Sequence, residues 1–71
     1  MTDWSAHAKG ILRSEMARKG LSYADLVRAL AELGVKESEA NLRNKVSRGS
    51  FTAAFLFQCM RAMGVTTLHL D

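Results

Sequence analysis

Residues 37–57 read ESEANLRNKVSRGSFTAAFLF, and two helices with their boundaries are written in that stretch. Ser38 is a ready N-cap, because a hydroxyl there can accept a hydrogen bond from an amide in the first turn, and Arg48 with Gly49 closes the helix it opens. With Ser38 to Ser47 helical, Leu42 and Val46 (i, i+4) form an inward seam. Asn41, Asn44 and Arg48 (i, i+3, i+7) then share an outward stripe flanked by Arg43 and Lys45. Thr52 caps the next helix, with Phe51 and Leu56 in hydrophobic-staple positions. Phe55, Cys59 and Ala62 are its core face. Ala53, Phe57 and Met60 fall on the other side, and Gly64 ends it.

Charge is distributed unevenly about this segment. Residues 1–39 carry six Lys/Arg against six Asp/Glu, whereas residues 40–71 carry four against Asp71 alone, so the excess of +3 is assigned to the second half of the chain. Any small helix needs a solvated face, and Lys, Arg and Asn would serve for one. What distinguishes this face is that base-reading side chains, Asn and Arg, sit in a neighbourhood with no carboxylate between Glu39 and Asp71. A polyanion with hydrogen-bonding edges matches it, and duplex DNA is the commonest such partner. The expected contacts are Ser38, Asn41, Arg43, Asn44, Lys45 and Arg48.

Toward the N-terminus, Asp3 or Thr2 can cap a first helix in which Trp4, Ala8, Ile11, Leu12 and Met16 share a face, with Lys9 and Arg13 outside; Gly20 ends it. Ser22 and Asp25 form the S-x-x-D capping signal, with Leu21 and Leu26 as its staple. The second helix then runs from Tyr23 to Leu33, burying Leu26, Val27, Leu30 and Leu33. Gly34 suits the left-handed position after it, and Val35 to Glu37 connect to Ser38. Beyond Gly64, VTTLHLD is rich in β-branched residues and reads as a short extended tail. There is no proline, repeat or linker. The fold class expected is all-α: a compact bundle of four short helices with a C-terminal tail, one domain over residues 1–71.

With 48% hydrophobic and 24% charged residues the composition is that of a folded domain, and at 71 residues its stability should be modest. Nothing approaches the ~18 consecutive apolar residues of a membrane span, and MTDWSAHAKG lacks a signal peptide's basic-then-apolar order, so no membrane partner and a cytoplasmic location are expected. The single cysteine, Cys59, allows no internal disulfide and reads as a packed small hydrophobe. His7, His69 and Cys59 are the only candidate soft metal ligands, without Cys-x-x-Cys or His-x-x-x-His spacing. The glycines mark helix ends and cradle no phosphate, and Glu37 and Glu39 suit the positive end of a helix dipole without an acid or base role. No enzymatic activity, cofactor, metal or small-molecule substrate is expected.

Two resemblances add to this. GLSYADLVRAL, NLRNKVSRG and FTAAFLFQCMRAMGV in series resemble the repressor type of helix-turn-helix found in Cro and phage repressors, over about Leu21 to Val65. That resemblance implies a helix-turn-helix-like core and DNA binding of the transcription-regulator kind, with the helix from Ser38 laid in the major groove and Asn41, Arg43 and Asn44 reading bases. The connection AELGVKESEA is longer than that motif's turn. Tyr23-Ala24 stands where the family often has a phosphate-bracing Gln, so that contact is missing or made by Tyr23. NLRNKVSRGSFTAAFLFQC is also similar to a family of short bacterial proteins known only as a domain of unknown function, which implies a bacterial, intracellular, single-domain protein.

The competing expectation is a protein-interaction module. A second apolar stripe at Phe57 and Met60, with Leu68 and Leu70 in the tail, needs covering: by the first helix, by a twin subunit in a homodimer, or by a different protein, in which case the basic face would serve an adaptor or inhibitor.

Overall fold

The computed structural model describes residues 3–68, and four α-helices follow one another along it: α1 (Trp4–Lys19), α2 (Tyr23–Glu32), α3 (Glu39–Arg48) and α4 (Ala53–Ala62). Each begins at an oxygen-bearing cap that accepts from an amide three residues on: Asp3 from Ala6, Ser22 from Asp25, Ser38 from Asn41 and Thr52 from Phe55, at 3.0–3.1 Å. At Ser22 the bond is reciprocated. Asp25 accepts from the Ser22 amide at 2.9 Å, which completes a capping box and, with Arg28 nearby, lowers the Asp25 pKa.

Three of the helices end alike. An apolar residue is followed four positions later by a left-handed glycine and then by a second apolar residue whose amide returns to the first residue's carbonyl. Leu21 bonds Met16 at 2.9 Å, Val35 bonds Leu30 at 3.0 Å and Val65 bonds Met60 at 2.8 Å, across Gly20, Gly34 and Gly64. This is the Schellman arrangement, and it folds an apolar side chain back over the last turn. At the end of α3 the corresponding residues are Lys45 and Ser50, and the return bond is absent from the bonds of this segment; Gly49 instead donates to Lys45 and Val46.

The main tertiary pairs are α1 with α3, α2 with α3, and α2 with α4. Their shared core is Leu12, Met16, Leu26, Leu30, Leu42, Val46, Phe55, Cys59, Met60 and Met63, with Ile11, Tyr23, Val27, Val35, Phe51, Leu56 and Leu68 packed around it. The chain is therefore all-α, as expected, and the tail residues 65–68 carry no strand.

Four expectations about the core need correction. Trp4 is 71% exposed, its ring set edge-on against His7. It opens α1, about 12 Å along the helix axis from Leu12, the first fully buried residue of that helix. Leu33 is 47% exposed because α2 ends at Glu32 and the Schellman turn brings Val35 inward in its place. Met60, expected on an outer stripe, is 5% exposed, since α4 buries a wide arc and the Val65 fold-back closes over its turn. Leu68 packs against the domain's own core. Leu70 lies outside the described residues.

Candidate functional site

The outer side of α3 is the most chemically distinctive surface of the domain, and its orientation follows from the two buried residues opposite. Leu42 and Val46 are fully buried, which turns Asn41, Asn44 and Arg48 to solvent. Ser38 is the N-cap; its hydroxyl oxygen is engaged with the Asn41 amide. All six residues singled out from the sequence therefore lie on one helix and its cap, but they are not equivalent.

Arg43 and Lys45 are committed to partners within the chain. Arg43 donates to Glu39 one turn earlier at 2.8 Å, and its guanidinium carbon stands 5.3 Å from the centroid of the Tyr23 ring. Lys45 pairs with Glu37, whose side chain is only 11% exposed, and its ammonium lies 4.9 Å from the Phe55 ring centroid. Each cation is thus held by a carboxylate and an aromatic face together. By contrast, the side chains of Asn41, Asn44 and Arg48 make no hydrogen bond or ion pair among the described residues. Arg48 and Lys45 border a pocket with Ser50, Phe51, Thr52 and Phe55, where the end of α3 meets the start of α4.

On its other flank α3 meets α1, and the two run antiparallel. As α1 advances through Ser5, Lys9 and Arg13, the neighbouring contacts step back along α3. Gly49 is pressed against the Ser5 backbone, Lys9 donates to the Ser47 carbonyl at 3.2 Å, and Arg13 donates to the Tyr23 hydroxyl at 3.4 Å beside Arg43. Arg13, Ser22, Tyr23, Glu39 and Arg43 line one shallow groove. From the sequence, Lys9 and Arg13 are outer residues of the first helix and nothing more. No local pattern announces that they border α3, because the contact joins residues 38 positions apart.

Cys59 is fully buried in α4, and its thiol pKa is pushed up to about 12, chiefly by loss of hydration and then by the Glu37 carboxylate, with Lys45 opposing. It is a core residue and no nucleophile. Among the described residues no group of three or more His, Cys, Asp or Glu side chains is placed to hold a metal ion, and no helix is long and apolar enough to cross a membrane.

A family model described as a domain of unknown function (DUF6471) matches residues 4–68, which is the whole helical body. The chain belongs to that family. Neither a curated protein nor a solved structure matches it. The DUF6471 match agrees with the similarity carried by NLRNKVSRGSFTAAFLFQC and attaches no activity to any residue. The reading of the α3 surface therefore rests on its chemistry.

Proposed function

We propose that this DUF6471 domain is a small DNA-binding protein of the transcription-regulator kind that presents α3 to duplex DNA. The observation that carries this reading is the outward stripe of Asn41, Asn44 and Arg48, whose side chains are exposed and have no partner among the described residues. Amides and guanidinium groups left free on one helix face are suited to base edges: Asn binds adenine and Arg binds guanine, each through two hydrogen bonds. The two carboxylates on the flanks, Glu37 and Glu39, are already occupied by Lys45 and Arg43, so they oppose an approaching polyanion less than free carboxylates would.

The test is an NMR titration of the labelled domain with mixed-sequence duplex DNA. Amide shifts concentrated in residues 41–48 are the expected result, and a titration without shifts would reject the reading. Once a preferred site is known, Asn44→Ala should lose about 1–3 kcal/mol of preference for it while binding to random duplex is nearly unchanged.

A second reading is favoured by Phe57, which is 63% exposed on α4 and lines a groove together with Met60, Arg61, Gly64, Val65 and Thr66. An exposed apolar ring on the wall of a groove is a patch that two-fold pairing of identical copies would bury on both at once. In this reading the protein self-associates through α4, and a homodimer would carry two α3 faces.

A further inference from the structure

The sequence assigns the excess charge to residues 40–71, but folding places it elsewhere. Arg61 of that half belongs to α4, at the groove beside Phe57. The α3 surface gains two carboxylates from the first half, Glu37 and Glu39, and two cations from α1, Lys9 and Arg13. Together with Arg43, Lys45 and Arg48 this surface holds five cations against two carboxylates. Elsewhere among the described residues Arg18 pairs with Glu15 and Arg28 with Asp25, each a cation matched by a carboxylate.

Within that surface the charge is not where the α3 helix alone would put it. Arg43 and Lys45 are cancelled by Glu39 and Glu37. The cations whose charge is not cancelled by a carboxylate are Arg48, Lys9 and Arg13, and the last two bond only to neutral oxygens, the Ser47 carbonyl and the Tyr23 hydroxyl. Lys9 and Arg13 are four residues apart, about 6 Å along α1, and so form a short cationic ridge beside the antiparallel α3. An uncharged amide stripe bordered by such a ridge divides the labour of duplex recognition: amides face base edges, and the ridge faces a phosphate strand.

We propose that the nucleic-acid surface continues from α3 onto the edge of α1, where Lys9 and Arg13 supply the principal phosphate contacts of the domain. The proposal rests on the DNA-binding reading of α3 and adds residues to it. Arg43 and Lys45 contribute less, because a phosphate must compete with a carboxylate already in place for each of them.

The experiment is a fluorescence anisotropy titration of the full chain with a mixed-sequence duplex at several salt concentrations. The double variant Lys9→Gln/Arg13→Gln should lower the magnitude of the log affinity against log salt slope by about 2, close to 0.9 for each phosphate contact removed. Lys19→Gln/Arg61→Gln removes the same charge from other surfaces and should change the slope by much less. Lys9→Arg/Arg13→Lys keeps the charge and should retain binding, which guards against loss of a fold-supporting hydrogen bond, and circular dichroism of each variant checks the fold. In the wild-type NMR titration the amides of residues 9–14 should shift with those of α3. A wild-type slope preserved in Lys9→Gln/Arg13→Gln, or an equal fall in the Lys19 and Arg61 control, overturns the α1 ridge and leaves DNA binding by α3 standing. A wild type that binds no duplex overturns both.

Discussion

Gly49 and Ser5 meet backbone to backbone. A Cβ built on Gly49 would stand 2.1 Å from the Ser5 carbonyl oxygen and 2.7 Å from its carbon, and the glycine holds φ at +68°. Two demands coincide there, a left-handed cap for α3 and a close approach of the first turn of α1. This contact sets how deeply α1 seats against α3, and therefore how near Lys9 and Arg13 lie to the amide stripe.

Gly49→Ala should consequently be among the most damaging small substitutions. The left-handed backbone costs about 1–2 kcal/mol for an alanine, and displacing α1 adds about 1–3 kcal/mol of overpacking. Gly20→Ala is the comparison, with φ also at +68° but nothing within 4 Å of the added methyl, and should cost only the backbone share. Chemical denaturation of both variants measures the difference. Equal losses would mean that α1 shifts freely at Ser5.

Lys45 should behave as a structural residue. Lys45→Met keeps an apolar stem near Phe55 but leaves Glu37, nearly buried, without its counter-ion, at a cost of about 1–3 kcal/mol. Adding Glu37→Gln should recover part of that loss. A double-mutant cycle on unfolding free energies reads the coupling, and a cycle that closes at zero would return Lys45 to the pool of cations available for a polyanion.

Stability should decline in alkali because of Cys59. Its pKa is raised from 9.0 to about 12 in the folded state, so between those values the unfolded chain loses the thiol proton while the folded chain keeps it. The contribution is complete below pH 9 and falls as pH rises toward 12, with a limiting slope of about 1.4 kcal/mol per pH unit. Unfolding measured at pH 8 to 10.5 should show a steeper decline in wild type than in Cys59→Ala. Thiol labelling at neutral pH should proceed at the rate of unfolding, and rapid labelling of native protein would contradict the burial.

Phe57 and Met60 should separate cleanly. Phe57→Glu changes an exposed side chain and should leave monomer stability within about 0.5 kcal/mol, whereas Met60→Ala empties a core position and should cost about 2–4 kcal/mol. Sedimentation at high micromolar concentration tests self-association directly. A wild-type dimer that Phe57→Glu dissociates supports the α4 pairing, and a monomeric wild type rejects it.

The helices, their caps and the inward seam of α3 are legible along the chain, because each of these rests on interactions spanning three to five residues. Ser38, Thr52 and the Ser22–Asp25 box were legible for that reason, as were Gly20, Gly34, Gly49 and Gly64 as helix stops. The fold-back that buries Met60 was also present as Met60, Gly64 and Val65, a signal that the simple division of α4 into two faces passed over. What local spacing cannot reach is which charges from separate elements come together. Glu39 and Arg43 are an i, i+4 pair that helix spacing already offers, whereas the pairing of Lys45 with Glu37, eight residues apart, depends on how the connection packs before α3. The approach of Lys9 and Arg13 to α3 depends on α1 packing antiparallel to it across a Gly49 that lacks a side chain. Coulomb forces act through space and are indifferent to chain order, so a net charge read along the sequence could not locate the surface on which folding gathers it.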